Sequence, residues 1–266
     1  MTLDIFIALL VLGAAAGLLA GLLGIGGGII LVPALYYGLN HLGYFEHAMH
    51  LAVGSSLCTI FFTTLSATRA HYKKKAIELS IVKRFIPCVL VGSVCGIYLA
   101  QYLNADHLKI TFALVQLSFG SYLLLRGHQA LFVKLPKAPT FHIIGSANAC
   151  LATLVGVGGG VQNILFMTLC NIPIHQAIAN AAAISPILAS ISAIGFMYIG
   201  LEQQNLPPLS LGYVNLPIVG CLTITSILAA QKGAQLAHKL PVKTLKNIFS
   251  IFTLVVALKM LFDALL

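Results

Sequence analysis

Charged residues are scarce in this sequence, and tryptophan is absent. Asp, Glu, Lys and Arg make up 8% of the 266 residues, whereas soluble domains carry about 25%. Hydrophobic residues make up 59%, and the mean hydropathy is +0.99. This composition predicts an all-α integral membrane protein with little room for a soluble domain. Without tryptophan, the tyrosines are left as the side chains that anchor spans at the membrane interfaces.

Catalytic and metal-binding sequence patterns are also missing. No Ser–His–Asp order, HExxH motif or GxxxxGK[ST] motif occurs. The six cysteines form no CxxC pair and nearly all fall in apolar stretches, which is typical of small packing residues. The acidic residues lie near the ends of apolar stretches, so no buried carboxylate stands out as a proton carrier. We therefore expect no enzymatic activity, no cofactor and no bound metal.

The formal net charge of +9 does not indicate a nucleic-acid-binding protein. The basic residues mostly separate apolar stretches, which is the pattern of cytoplasmic loops in membrane proteins. The same balance favours an anionic substrate. The expected partners are the lipid bilayer and a small anion, without nucleic acid.

The sequence contains an internal repeat of about half its length. The stretch GLLAGLLGIGGGIILVPAL (17–35) resembles ACLATLVGVGGGVQNILFM (149–167), with the glycine triplets 132 positions apart (158 − 26). Downstream, HAMHLAVGSSL (47–57) resembles QAIANAAAISPI (176–187), which sets Ser56 against Ser185. Internal repeats are a common way to build a transporter, with the substrate site between the repeats.

Each repeat contains four apolar spans, and the first span of each is broken at a GGG hinge. The spans cover about 5–39, 48–68, 79–103 and 108–126, and then 140–170, 174–200, 209–238 and 243–264. The prediction is about eight transmembrane helices in two parallel four-span repeats, 1–126 and 140–266. A cytoplasmic linker, 127–139, joins them. Because four is an even number and the basic loops are expected inside, both termini are predicted to be cytoplasmic.

The glycine triplets are candidate anion-binding elements. Three consecutive glycines interrupt a helix where bare backbone is tolerated only within protein or along a cavity. A helix that restarts after them presents unpaired N–H groups and the positive end of its dipole. The alternative is close helix packing through small residues, which suits Gly13, Gly17, Gly21 and Gly24. The candidate site residues from the two triplets are Gly26, Gly27, Gly28, Gly158, Gly159 and Gly160.

Four polar side chains complete the candidate site. Gln162 and Asn163 follow the second triplet, and amides in an apolar span usually face the interior of a bundle. They are substrate contacts or bonds between helices. Ser56 and Ser185 match across the repeat; their hydroxyls donate to an oxyanion or to carbonyls of their own helices.

The doubled G-[IV]-GGG string, Pro33 and the segments AVGSSL and AAAISPI resemble the TauE/SafE sulfite exporter family, also called TSUP. The resemblance covers essentially the whole chain. It implies a secondary transporter in the cell membrane, the bacterial inner membrane, that moves sulfite, thiosulfate, sulfoacetate or a related sulfonate by alternating access. Two alternatives stay open: an anion channel, and an intramembrane sulfur relay that uses a cysteine.

Overall fold

The computed structural model describes residues 3–23, 26–125, 135–237 and 242–265, and these residues form ten helices and a short β-hairpin. The helices are α1 (Leu3–Leu23), α2 (Gly28–His41), α3 (Ala48–Lys73), α4 (Leu79–Tyr102), α5 (Ala105–Leu125), α6 (Ala138–Val155), α7 (Gly160–Leu169), α8 (Ile174–Ile199), α9 (Leu216–Ala237) and α10 (Val242–Leu265). The hairpin strands are β1 (Ser210–Leu211) and β2 (Val214–Asn215). The prediction of an all-helical protein is confirmed. Residues 127–134 of the predicted linker 127–139 lie outside the described residues.

Six helices in the described part of the chain are long and apolar enough to cross a membrane. They are α1, α3, α4, α6, α8 and α9, and each has roughly the 20 residues that a bilayer requires. The predicted spans 108–126 and 243–264 correspond to α5 and α10, which contain 21 and 24 residues. A multi-pass membrane protein is thus supported, and the count of eight spans stays a prediction.

Helix α3 is the central helix of the bundle, and its residues from Ala48 to Ile60 are buried apart from the half-buried Cys58, whereas Phe62 is 41% exposed. Met49, Leu57 and Ile60 are fully buried. Helix α4 lies at the periphery, where Val91 and Val94 are 57% and 60% exposed. Large apolar side chains pointing outward are expected where lipid replaces water as the solvent. A site on the Ala48–Ile60 part of α3 is therefore enclosed by other helices.

Two helix pairs approach closely through glycines. A Cβ added to Gly13 on α1 would lie 2.7 Å from the carbonyl oxygen of Leu222 on α9, and Gly17 stands equally close to the same helix. A Cβ on Gly96 of α4 would lie 2.8 Å from the carbonyl oxygen of Cys150 on α6. Small residues allow such approach in membranes. The packing role expected for Gly13 and Gly17 is thus what their contacts show.

Helices α3 and α9 run in the same direction. The Ser55 hydroxyl near the start of α3 accepts a hydrogen bond from the N–H of Asn215, which immediately precedes α9. Further along both helices, the hydroxyls of Thr63 and Ser226 are 2.8 Å apart. Residue numbers therefore rise together along the two helices.

Helices α3 and α8, which carry corresponding segments of the two sequence copies, run in opposite directions. Gly54 near the start of α3 contacts Phe196 near the end of α8. At the other end, the Thr68 hydroxyl donates to the carbonyl of Ala182 at 2.6 Å. Parallel repeats would require these helices to point the same way. The prediction of a parallel arrangement is therefore wrong.

The reason lies in the glycine breaks. At the first break the chain turns back along α1, so that a Cβ on Gly27 would lie 2.9 Å from the carbonyl oxygen of Ala16, eleven residues earlier. Helix α2 is a separate segment rather than the continuation of α1. Each half then contains five helical segments instead of four spans. Because five is an odd number, the second half begins at the opposite end of the bundle from the first half and runs in the reverse direction.

Candidate functional site

Both glycine breaks adopt the same left-handed backbone conformation. The φ angles are 78° at Gly26 and 80° at Gly27, and 70° at Gly158 and 74° at Gly159. Glycine reaches this region without the steric penalty that a Cβ brings. The predicted helix break at each triplet is confirmed, because α2 begins directly after Gly27 and α7 directly after Gly159.

The two breaks touch each other at the centre of the bundle. A Cβ on Gly28 would lie 2.6 Å from the carbonyl oxygen of Gly156 and 2.8 Å from Cα of Val157. Any side chain at position 28 would therefore displace the backbone of the other break. Gly28 of the first triplet therefore contacts the backbone of Gly156 and Val157, immediately before the second triplet.

The side chain of Ile60 fills the space between the breaks. Its Cγ2 methyl lies 3.1 Å from the Cβ position of Gly26 and 2.6 Å from that of Gly158. Its Cδ1 methyl lies 2.8 Å from the Cβ position of Gly28. Ile60 is fully buried and was missed by sequence reasoning, because one isoleucine in an apolar helix carries no distinguishing signal.

Helices α2 and α7 both begin at these breaks without a side-chain cap. Their N-cap residues are Gly27 and Gly159, and neither N-terminus receives a side-chain hydrogen bond at the cap. The first N–H groups of a helix have no acceptor within the helix, and the N-terminus carries about half a positive charge. Two such ends meet at one place inside an apolar bundle.

An amide pair lies beside the second break. Asn148 of α6 donates from Nδ2 to Oδ1 of Asn163 at 3.0 Å. This bond orients the Asn163 amide so that its Nδ2 points toward the break, 3.2 Å from the Cβ position of Gly159. That Nδ2 is buried and has no hydrogen-bond partner. Asn148 was not singled out from the sequence; its signal was an amide within an apolar span.

The other predicted polar residues are placed differently. Ser56 donates its hydroxyl to the carbonyl oxygen of Gly156 at 3.0 Å, so it joins α3 to the second break. Ser185 donates to Ala181 of its own helix at 2.9 Å and is not brought to the breaks by a bond. Gln162 is buried and its Oε1 has no partner.

A small recess reaches the first break from the end of the bundle where α3 ends. It lies between α1, α3, α8 and α9, and its walls include two threonines among small residues. The residues that line the recess are Ala20, Gly21, Gly26, Thr63, Thr64, Ala67, Ala182 and Ala230. The recess borders the first glycine break at Gly26, where Ile60 separates it from the second break.

The sequence matches the profile of the family described as sulfite exporter TauE/SafE over residues 9–260. The chain belongs to the TauE/SafE family. It is 34% identical to a "probable membrane transporter protein" of Haemophilus influenzae over 94% of its own length and 96% of that relative. It is 25% identical to one of Methanocaldococcus jannaschii, over 95% and 94% of the two chains, and 24% identical to YunE of Bacillus subtilis, over 97% and 98%.

No solved structure matches the chain. The family match and the named relatives identify a membrane transporter rather than an enzyme. This TauE/SafE transporter carries its two glycine breaks at the contact between α2, α3 and α7, and the residues at this contact are candidates for substrate binding.

Proposed function

We propose that this protein is a secondary transporter that moves a small sulfur-containing anion by alternating access, with the anion bound between the two glycine breaks. The observation that carries the proposal is that two helices with uncapped N-termini, at Gly27 and Gly159, begin at breaks that touch through Gly28 and Gly156. Discontinuous helices at corresponding places in two halves mark transport sites. The substrate class follows the family description, sulfite exporter.

The site binds an anion through backbone and amide donors. N–H groups at a helix start point toward the ligand, and the helix dipole favours negative charge there. Glycines leave the backbone open to close approach. Asn163 adds a buried side-chain donor without another acceptor. These groups are worth more in a water-poor interior than in water, because the effective dielectric constant is low.

The transport path is formed by two copies of one unit in inverted orientation, 1–126 and 140–266, joined by the segment 127–139. The packing supports this arrangement, since the most extensive contacts between helices have counterparts in the other half. Helix α1 packs on α9 as α6 packs on α4, and α2 packs on α3 as α7 packs on α8. Inverted repeats of this kind exchange roles as access alternates between the two sides.

The basic end of the bundle faces the cytoplasm. Lys73, Lys74 and Lys75 follow one another where α3 ends, and Arg84 donates to Pro136 at the same end. The positive-inside rule assigns such an end to the cytoplasm. Helix α1 runs parallel to α9, because Gly13 lies against Leu222 and Gly17 against Ser226, and it is therefore also parallel to α3. Asp263 near the end of α10 contacts Tyr37 at the end of the bundle where α3 begins. Both termini therefore lie outside the cytoplasm, in contrast to the expectation from four spans per repeat.

The structure is closed between the two breaks. Ile60 touches both of them, and its side chain must move before an anion of sulfite size can enter. A shift of α3 relative to α2 and α7 would withdraw Ile60 and open the space. This motion would couple substrate entry to a displacement of α3, which contacts both halves.

Counterflow in proteoliposomes tests the proposal. Vesicles loaded with unlabelled sulfite, thiosulfate, sulfoacetate, sulfate or chloride should take up labelled sulfite through the purified protein, with saturation and with a sulfur anion as the best exchanger. A variant without its six cysteines should remain active, because backbone and amide donors bind the anion. Absence of saturable exchange with every anion would contradict the proposal. Conductance far above carrier turnover would identify a channel, and inactivity of the folded cysteine-free protein would identify a sulfur relay.

A further inference from the structure

We infer that the site between the glycine breaks selects a singly charged anion over a doubly charged anion of the same shape. This inference rests on the proposed function and adds the charge of the substrate to it. It follows from the charges available within the bundle, from one unpartnered amide donor, and from the contact between the two breaks.

The surroundings of the breaks are electrically neutral. Among the residues whose burial the structure describes, Lys109 is the one lysine or arginine side chain that is buried. Its Nζ lies 3.0 Å from Oδ1 of Asp106 and 3.1 Å from the hydroxyl of Tyr36. Tyr36 is eight positions along α2 from Gly28, which corresponds to about 12 Å of helix. Lys109 is therefore paired and distant from the breaks.

The positive charge at the breaks comes from helix ends. Each helix N-terminus is equivalent to about half an elementary positive charge, and each C-terminus to about half a negative charge. The N-termini of α2 and α7 are therefore partly offset by the C-terminal ends of α1 and α6, which precede the same breaks. The breaks thus balance at most one negative charge, and a dianion would leave at least one uncompensated negative charge inside the bundle, where burial of unpaired charge is strongly unfavourable.

The side chain at the site is also suited to a monoanion. Asn163 is 3% exposed, and its Nδ2 is an unpartnered donor directed at the start of α7. A neutral amide binds an oxygen atom without adding a full charge. The breaks therefore fit a sulfonate group, R–SO3⁻, or the hydrogen form of sulfite, rather than sulfate or the sulfite dianion.

Methanesulfonate and sulfate provide a direct test, since both are tetrahedral sulfur oxyanions and they carry one and two charges. Binding is measured as thermal stabilisation of the purified full-length protein at equal ionic strength. Methanesulfonate should stabilise the protein at a concentration roughly tenfold or more below that of sulfate. Raising the pH should weaken stabilisation by sulfite, which loses its proton near neutrality, and should leave stabilisation by methanesulfonate unchanged.

Two variants connect the charge preference to the site. Asn163→Lys adds a positive charge beside the second break and should shift the preference toward sulfate. Asn163→Leu adds no charge and should weaken binding of both anions while keeping their order. If sulfate stabilises the wild type as well as methanesulfonate does, and Asn163→Leu weakens both, the charge inference is wrong and the anion site stands. If neither anion stabilises the protein, or Asn163→Leu changes nothing, the proposed site fails as well.

Discussion

The two glycine breaks share a backbone and differ in their side chains. Both hold consecutive glycines at φ angles between 70° and 80° and both start a helix. After the first break come Ile29, Ile30 and Leu31, and after the second come Gln162 and Asn163. The first break is thus followed by apolar packing residues and the second by amides.

Because of this difference, the two breaks offer different chemical groups to the proposed anion site. Ile29 and Leu31 are each 1% exposed, so these side chains pack in the apolar core and the start of α2 offers only its backbone to the proposed anion site. The start of α7 offers its backbone and also the oriented amide of Asn163 to that site. In the proposed site, attraction for an anion would come from the backbone of both halves and side-chain recognition from the second half, so inverted repeats need not form a symmetric site.

The largest effect is expected where the breaks touch. Gly28→Val places a Cβ 2.6 Å from the carbonyl oxygen of Gly156, so the two backbones must separate. We expect loss of transport and a destabilisation of about 3 kcal/mol, measured by counterflow and thermal unfolding. Gly38→Val on the same helix is the matched control, since a Cβ at Gly38 meets no atom within 4 Å. Equal activity of the two variants would show that the contact between the breaks is not required.

A similar effect on stability and a smaller effect on transport are expected from emptying the space between the breaks. Ile60→Ala removes the methyls that contact Gly26, Gly28 and Gly158. Truncation of a fully buried isoleucine destabilises by about 2–5 kcal/mol. We also expect counterflow of bulkier sulfonates that the wild type excludes, because the closed space becomes larger.

The control for Ile60→Ala is Leu57→Ala, one turn earlier on α3 and also fully buried. It should destabilise by a similar amount without widening the substrate range. If both variants accept the same anions as the wild type, Ile60 packs the core and does not close the path.

The amide at the second break has a more selective role. Asn163→Leu makes the second break resemble the first, where Leu31 stands at the corresponding position, 132 residues earlier. Loss of one oriented hydrogen-bond donor should reduce transport by about 10- to 100-fold, corresponding to roughly 1–3 kcal/mol. Stability should change little, because removal of the unpartnered Nδ2 donor offsets the loss of the hydrogen bond that Asn148 donates to Oδ1 of Asn163. Leu31→Met at the first break is the control and should leave transport intact.

The breaks were predictable from the sequence because a run of three glycines has few roles in an apolar stretch. Ile60 was not predictable, since its contacts depend on how α3 is rotated against both breaks. The direction of the second half was not predictable either. Whether a broken helix continues or turns back is decided by packing such as that of Gly27 on Ala16, and this choice changes four segments per half into five.

The matched serines also show what a repeat can and cannot predict. Sequence similarity placed Ser56 and Ser185 at corresponding positions, as equal candidates. In the structure the Ser56 hydroxyl bonds to the opposite half at Gly156, whereas Ser185 bonds within its own helix. The repeat preserved the residue type, and the packing of each half determined the partner.

The smallest effect is therefore expected from these serines, and it should differ between them. Ser56→Ala removes the bond to the Gly156 carbonyl, which should destabilise the protein by about 1 kcal/mol and reduce transport a few-fold. Ser185→Ala removes a bond within one turn of α8, where the Ala181 carbonyl already serves as a helix acceptor, and should change both quantities by less than about 0.5 kcal/mol. Thermal unfolding and counterflow of the two variants, prepared side by side, measure the difference. Equal effects would mean that the hydrogen bond between α3 and the second break contributes nothing to the arrangement of the site. The asymmetry between the two halves would then rest on Asn163 alone.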